Sequence, residues 1–261
     1  MNTRKVKDRL ERVLVEWAST FPTDLKSRVL KHSIITGGSI VSLLKDEEVN
    51  DYDIYFTNVE TAELLLAHYC EGSKLIRGSK VMERDGGSYL YVDVNSEGFL
   101  KLPKGESKFQ PICITSNALT LSDKIQIIFR FCGEPESIHS NFDFVHCTNY
   151  FSRGDLHLNH AALQSLVTKE LSYVGSLYPL ASIMRTRKFI NRGWTINAGQ
   201  YLKMCIQLQS FDLSNFDVLK DQLMGVDALY FQQMLGSIQQ DQVISGRIDN
   251  SYLINLINKF F

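Results

Sequence analysis

The chain has 261 residues, 44% of them hydrophobic and 22% charged, with a formal net charge of −1. That length can bury a real core, in one large or two modest domains, and that composition excludes wholesale disorder. The near-neutral balance offers no global basic field, so tight non-specific nucleic-acid binding is excluded unless a local patch supplies it.

Val6, Leu10, Val13, Leu14 and Trp17 recur at helical spacing and predict an amphipathic opening helix that Pro22 ends. Lys5, Lys7, Arg9 and Arg12 lie mainly on its polar side, a solvated face rather than a phosphate site. A strand-like run from His32 to Thr36 then meets Gly37, Gly38 and Ser39, a short helical turn, and a second strand-like run carrying Asp51 and Asp53. A helix follows from about Val59 to Tyr69, capped by Asn58. Residues 73–116 read as β structure, punctuated by Asp85-Gly86-Gly87, Gly98 and Pro103-Lys104-Gly105. Ser122 is expected to cap a helix, DKIQIIFRF, that Gly133 and Pro135 stop; FDFVHCTNYF (142–151) reads as a further strand. From Leu156 onward the pattern turns helical, near 159–172, 177–192, 197–209, 216–223, 226–235 and 249–260. The expected division is therefore 1–152, mixed α/β, and 153–261, all-helical.

Five cysteines (Cys70, Cys113, Cys132, Cys147 and Cys205) are widely spaced without a Cys-x-x-Cys pair, so they read as reduced thiols of a cytoplasmic protein. The charged, interleaved N-terminus is unlike a secretory signal, and no apolar run approaches the roughly 18 residues of a membrane helix.

Residues 36–57, TGGSIVSLLKDEEVNDYDIYFT, carry the chemistry. On a strand Asp51 and Asp53 share a face, while Tyr52 and Ile54 look the other way. Two adjacent carboxylates repel unless a cation lies between them, and a divalent metal is the usual answer. Gly37, Gly38 and Ser39 open a helix, where free N–H groups favour a phosphate. Together they suggest a nucleoside triphosphate held through magnesium. His157 and His160, three apart, are a weak metal signal without a third ligand.

Gly38-Ser39, a short helix and Asp51-Tyr52-Asp53 resemble the signature of the DNA polymerase β-type nucleotidyltransferase superfamily, which includes CCA-adding enzymes and poly(A) polymerases. The resemblance implies an α+β fold, a polymerase β-like core followed by a helical region that closes over the nucleotide. It implies two Mg2+ ions, with Mn2+ as a substitute, and a third carboxylate on a neighbouring strand. Asp143 is preferred for that role, because the Ile-Gln helix followed by Phe-Asp-Phe is similar to phage and bacterial nucleotidyltransferases; Asp93 is the alternative. Gln126 falls in that Ile-Gln segment as a residue orienting the site or touching the nucleotide. YPLASIMRTRKFINRGW (178–194) resembles a helix of the CCA-adding enzymes, which makes Arg185 and Lys188 a triphosphate clamp. Their base-reading acidic-x-x-Arg pair is missing. The implied activity is transfer of NMP from an NTP, ATP by default, to an acceptor hydroxyl with release of pyrophosphate. RNA or tRNA is the expected acceptor. The alternatives are a protein acceptor, as in AMPylating toxin or antitoxin systems, and a non-catalytic nucleotide-binding or partner-inhibiting protein. Nothing in the sequence speaks to oligomeric state.

Overall fold

A computed structural model describes residues 2–70, 76–84, 87–94, 98–99, 108–223 and 249–260. The fold is α+β, as expected. The chain divides into two compact units, one of residues 1–140 and 146–166, the other of residues 141–145 and 167–261. The boundary expected at residue 152 falls between the two strands of a hairpin in the first unit.

The first unit opens with α1 (Thr3–Ala18), whose Asn2 side chain accepts the Lys5 N–H at 3.0 Å, and α2 (Thr23–His32), which the sequence reading passed over. Val6, Leu10, Leu14 and Trp17 form the buried stripe of α1, and the Trp17 indole N–H reaches the Tyr69 hydroxyl at 3.0 Å. β1 (Ser33–Thr36), α3 (Gly38–Leu44) and β2 (Tyr52–Phe56) follow, then α4 (Val59–Cys70), capped by Asn58 as expected. The remaining strands are β3 (Ile76–Arg84), β4 (Gly87–Val94), β5 (Gly98–Phe99), β6 (Pro111–Ile114), β7 (Ala118–Leu121), β8 (Ile125–Cys132), β9 (Tyr150–Ser152) and β10 (Asp155–His157). Helix α5 (Pro135–His139) joins β8 to the segment before β9.

These strands make one mixed sheet in the order β10-β9-β1-β2-β8-β7-β6-β5, with β4 bridging β8 and β3 pairing β4. β2 and β8 run parallel, while β1 pairs β2 and β9 antiparallel. One cross-strand row, Leu156–Phe151–Ile35–Ile54–Ile127–Leu119–Ile114, is apolar throughout. Six of its members, Phe151, Ile35, Ile54, Ile127, Leu119 and Ile114, are at most 1% exposed, so this face carries the core.

The helix expected over DKIQIIFRF is strand β8. Asp123 and Lys124 both take positive φ, 60° and 66°, turning the chain back so that β8 pairs with β7. Ile125, Ile127 and Phe129 are buried, with Gln126, Ile128 and Arg130 half-exposed between them, a period of two that an apolar run disguises. The strand expected over 142–151 is also corrected. Asp143 lies at a bend, Val145–Cys147 is a 3-10 turn, and only Tyr150–Ser152 joins the sheet. His157 ends β10 and His160 begins α6 (His160–Thr168), so the two share no helical face.

In the second unit, residues 143–145 lie against 172–174 through the Val145 N–H to Ser172 and Val174 N–H to Asp143 hydrogen bonds. Helices α7 (Pro179–Ile190), α8 (Ala198–Leu208), α9 (Phe216–Leu223) and α10 (Asn250–Phe260) match four of the expected segments. The segment 226–235 lies outside the described residues. Among the described residues no helix is long and apolar enough to cross a membrane.

Candidate functional site

The strand register places a second row on the other face of the sheet, one residue out of step with the apolar one. It reads His157–Tyr150–Thr36–Asp53–Gln126–Thr120–Cys113 across seven strands. Because facing residues in a ladder share a side, Asp53 is flanked directly by Thr36 and by Gln126. Asp53, Gln126, Thr120 and Tyr150 are all half-exposed, which marks a polar, open face rather than core.

Gly37 holds the bend beside this row. Its φ of 82° and ψ of −145° are close to glycine-only territory, and its N–H donates to the Cys147 carbonyl at 3.2 Å. A Cβ built on Gly37 would lie 3.3 Å from Oδ2 of Asp53, so the carboxylate sits directly over the glycine. Gly38 is exposed, and nothing comes within 4 Å of its corresponding Cβ position. Ser39 is 1% exposed and its hydroxyl donates to the Thr36 carbonyl at 3.5 Å. Asp51 is exposed and precedes β2 by one residue. Thr36 Oγ1 donates to the Asn149 carbonyl at 2.8 Å and meets His139 Nε2 at 2.9 Å, tying the bend to α5.

Gln126 thus stands on the strand next to Asp53, where a third carboxylate was expected, and its amide donates to Thr120 Oγ1 at 3.2 Å. Asp93 lies on β4 opposite Gly78, half-exposed. Asp143 belongs to the second unit, where Arg185 Nη1 approaches its Oδ2 at 2.7 Å. The Asp143 side chain is 6% exposed and that of Arg185 37%, so a guanidinium supplies the compensation that a buried carboxylate needs. Two residues singled out for separate roles are therefore partners of each other. Lys188, one turn along α7, is exposed. Among the described residues no three of His, Cys, Asp or Glu gather to hold a metal ion. Magnesium, however, is commonly held by one or two carboxylates with phosphates and water completing its shell.

Two consequences are measurable. Arg185→Ala leaves Asp143 buried and unpaired and should cost about 2–3 kcal/mol in urea unfolding, whereas Asp143→Leu with Arg185→Met together should recover most of it. Burial pushes the His139 imidazole down from 6.5 to about 4, and burial together with Lys45 does the same to His146. Both rings are neutral in the folded state and take up protons on unfolding once the pH is below 6.5. Stability should therefore fall between pH 6.5 and about 4, by up to two protons' worth of slope, and melting curves of His139→Gln should show a shallower decline.

The sequence reading missed Thr36, Tyr150, Thr120 and His139. Gln126 and Arg130 at alternating positions were the available signal for β8; the convergence of Thr36, Tyr150 and His139 depends on strand order and has no local signal.

A family model described as Gabija anti-defense 2 family protein matches residues 8–169, more than half of the chain. The chain belongs to that family. The match takes in the whole strand–bend–helix–strand unit, Gln126 and Asp143. Gabija anti-defense 2 of Bacillus phage SPbetaL7 is 23% identical over 209 residues, covering 77% of this chain and 44% of that protein. This family member thus spans less than half the length of the curated relative. Among solved structures, the Thermotoga maritima CCA-adding enzyme complexed with tRNA is 14% identical, with a TM-score of 0.43 over 87% of this chain and 53% of that one. A CCA-adding enzyme in an apo form is 11% identical, with a TM-score of 0.44 over 91% of this chain and 52% of that one.

Proposed function

We propose that this chain acts against a Gabija-type bacterial defence, in the cytoplasm of the host, through a metal-assisted nucleotidyltransferase site centred on Asp53. The observation that carries the reading is the Asp53 carboxylate seated over the Gly37 bend, 3.3 Å from where a side chain would begin. It juxtaposes an acid with an exposed, side-chain-free approach to the start of α3. Asp51 and Asp53 would hold magnesium, which when bound screens the charge of the triphosphate. The acceptor oxygen forms a bond to the α-phosphorus as the bond to pyrophosphate breaks, and the acceptor proton passes to solvent. Thr36, through His139 and Asn149, keeps the bend in place. The Gln126 amide, beside Asp53, is a donor for a phosphate oxygen or the acceptor hydroxyl.

A second reading has its own support. With Gln126 in place of an acid and Asp143 neutralised by Arg185, the chain would bind an NTP without turnover and inhibit its target by contact alone. Incubating the protein with each α-labelled NTP and Mg2+, together with purified Gabija proteins or host RNA, separates the two. Label in the protein fraction or the RNA fraction, abolished by EDTA, supports transfer and names the acceptor class. NTP binding with no label and no pyrophosphate supports the inhibitor, and absence of binding sinks both.

A further inference from the structure

We propose a second ligand site, on the opposite side of β2 from Asp53, for a compact phosphorylated molecule bearing hydroxyl groups. Tyr52 and Asp53 are adjacent on β2 and point to opposite faces. On the Tyr52 side lies a cavity of about 550 Å3 lined by Arg9, Arg12, Leu43, Tyr52, Phe109 and Lys124 among others. It adjoins a second cavity of about 580 Å3, which shares Arg9, Arg12, Leu43 and Glu47. Each has the volume of a small-molecule site.

The charges decide what would enter. Lys108 pairs with Glu16, Lys124 Nζ pairs with Glu48 at 2.7 Å, and Lys45 pairs with Glu47. Asp123 accepts the Phe109 N–H at 3.0 Å and the Ser122 hydroxyl at 2.9 Å. Arg9 spends only its Nε, donating to the Tyr52 hydroxyl at 3.3 Å, and Arg12 makes no ion pair or hydrogen bond among the described residues. Two guanidinium groups three residues apart on α1 therefore remain for an anion, and their planar forks match phosphate. The carboxylates around them repel a long polyanion but accept hydrogen bonds from sugar hydroxyls, which favours one phosphate on a small polar body.

An independent feature marks the same place. Phe109 lines the first cavity and takes a positive φ of 59°. For a bulky residue such as Phe109 that conformation is strained, and such strain concentrates where a ligand site needs it.

The test is calorimetric titration in EDTA with 5′-AMP, ribose 5-phosphate and, as the phosphate-free control, adenosine. Without a divalent ion the measurement does not depend on transfer at Asp53, so the two proposals can fail separately. The wild-type protein should bind at least one of the phosphorylated probes and not adenosine, and preference for AMP over ribose 5-phosphate would show that the base adds to recognition. Arg9→Ala with Arg12→Ala should weaken binding about tenfold or more. Arg12→Glu, on an exposed position of α1, should do the same with an unchanged melting temperature. Asp53→Asn should bind as wild type does. No binding of either phosphorylated probe, equal binding of adenosine, or binding that both arginine variants keep overturns the proposal.

Discussion

Replacing Asp53 with asparagine should lower metal-dependent nucleotidyl transfer by about 10²-fold or more, while the melting temperature stays near that of the parent. Asparagine keeps the shape and one carboxamide oxygen, so the Gly37 contact and the β2 register survive. What disappears is the negative charge that would hold magnesium against a triphosphate. Asp51→Asn should also be impaired. Asp93→Asn, on β4, should be nearly silent, because its strand pairs with β8 through Ser88 and Cys132, at the end away from Gln126. Transfer by Asp53→Asn at the parental rate would remove the basis of the proposed function. Gln126→Glu is the informative companion. If the site gains from a third carboxylate there, transfer rises; if the amide is a needed donor, transfer falls, and either result separates catalysis from passive binding.

Gly37→Ala should be costly and Gly38→Ala harmless, although the two glycines are adjacent. At Gly37 an alanine faces φ of 82° and a 3.3 Å approach to Asp53 Oδ2, so the backbone is strained and the carboxylate must move. The expected loss is about 1–3 kcal/mol in denaturant unfolding, accompanied by loss of nucleotide binding. At Gly38 the added methyl group meets nothing within 4 Å, so stability should hold or improve. Equal behaviour of the two variants would show that the bend does not position Asp53.

Much of the architecture was legible from periodicity alone. The buried stripe of α1, the Asn58 cap and the α7, α8 and α9 segments all announce themselves, because a helix is written in contacts three and four residues apart. The glycine bend followed by Asp-x-Asp was visible for a similar reason: its parts lie within twenty residues. β8 was not, since IQIIFRFC satisfies a helical and a two-residue period equally well. Only pairing with β2 and β7 chooses between them.

The sequence by itself determined that this is an α+β chain with an acidic pair beside a glycine turn. Tertiary structure decided which residues surround that pair. It set Thr36 and Gln126 against Asp53, gave Asp143 to Arg185, and turned Arg9 and Arg12 of α1 toward a cavity. The physical reason is range: helix and turn preferences act over a few bonds, whereas the neighbours of a charge are chosen by strand order and burial, which join residues a hundred positions apart.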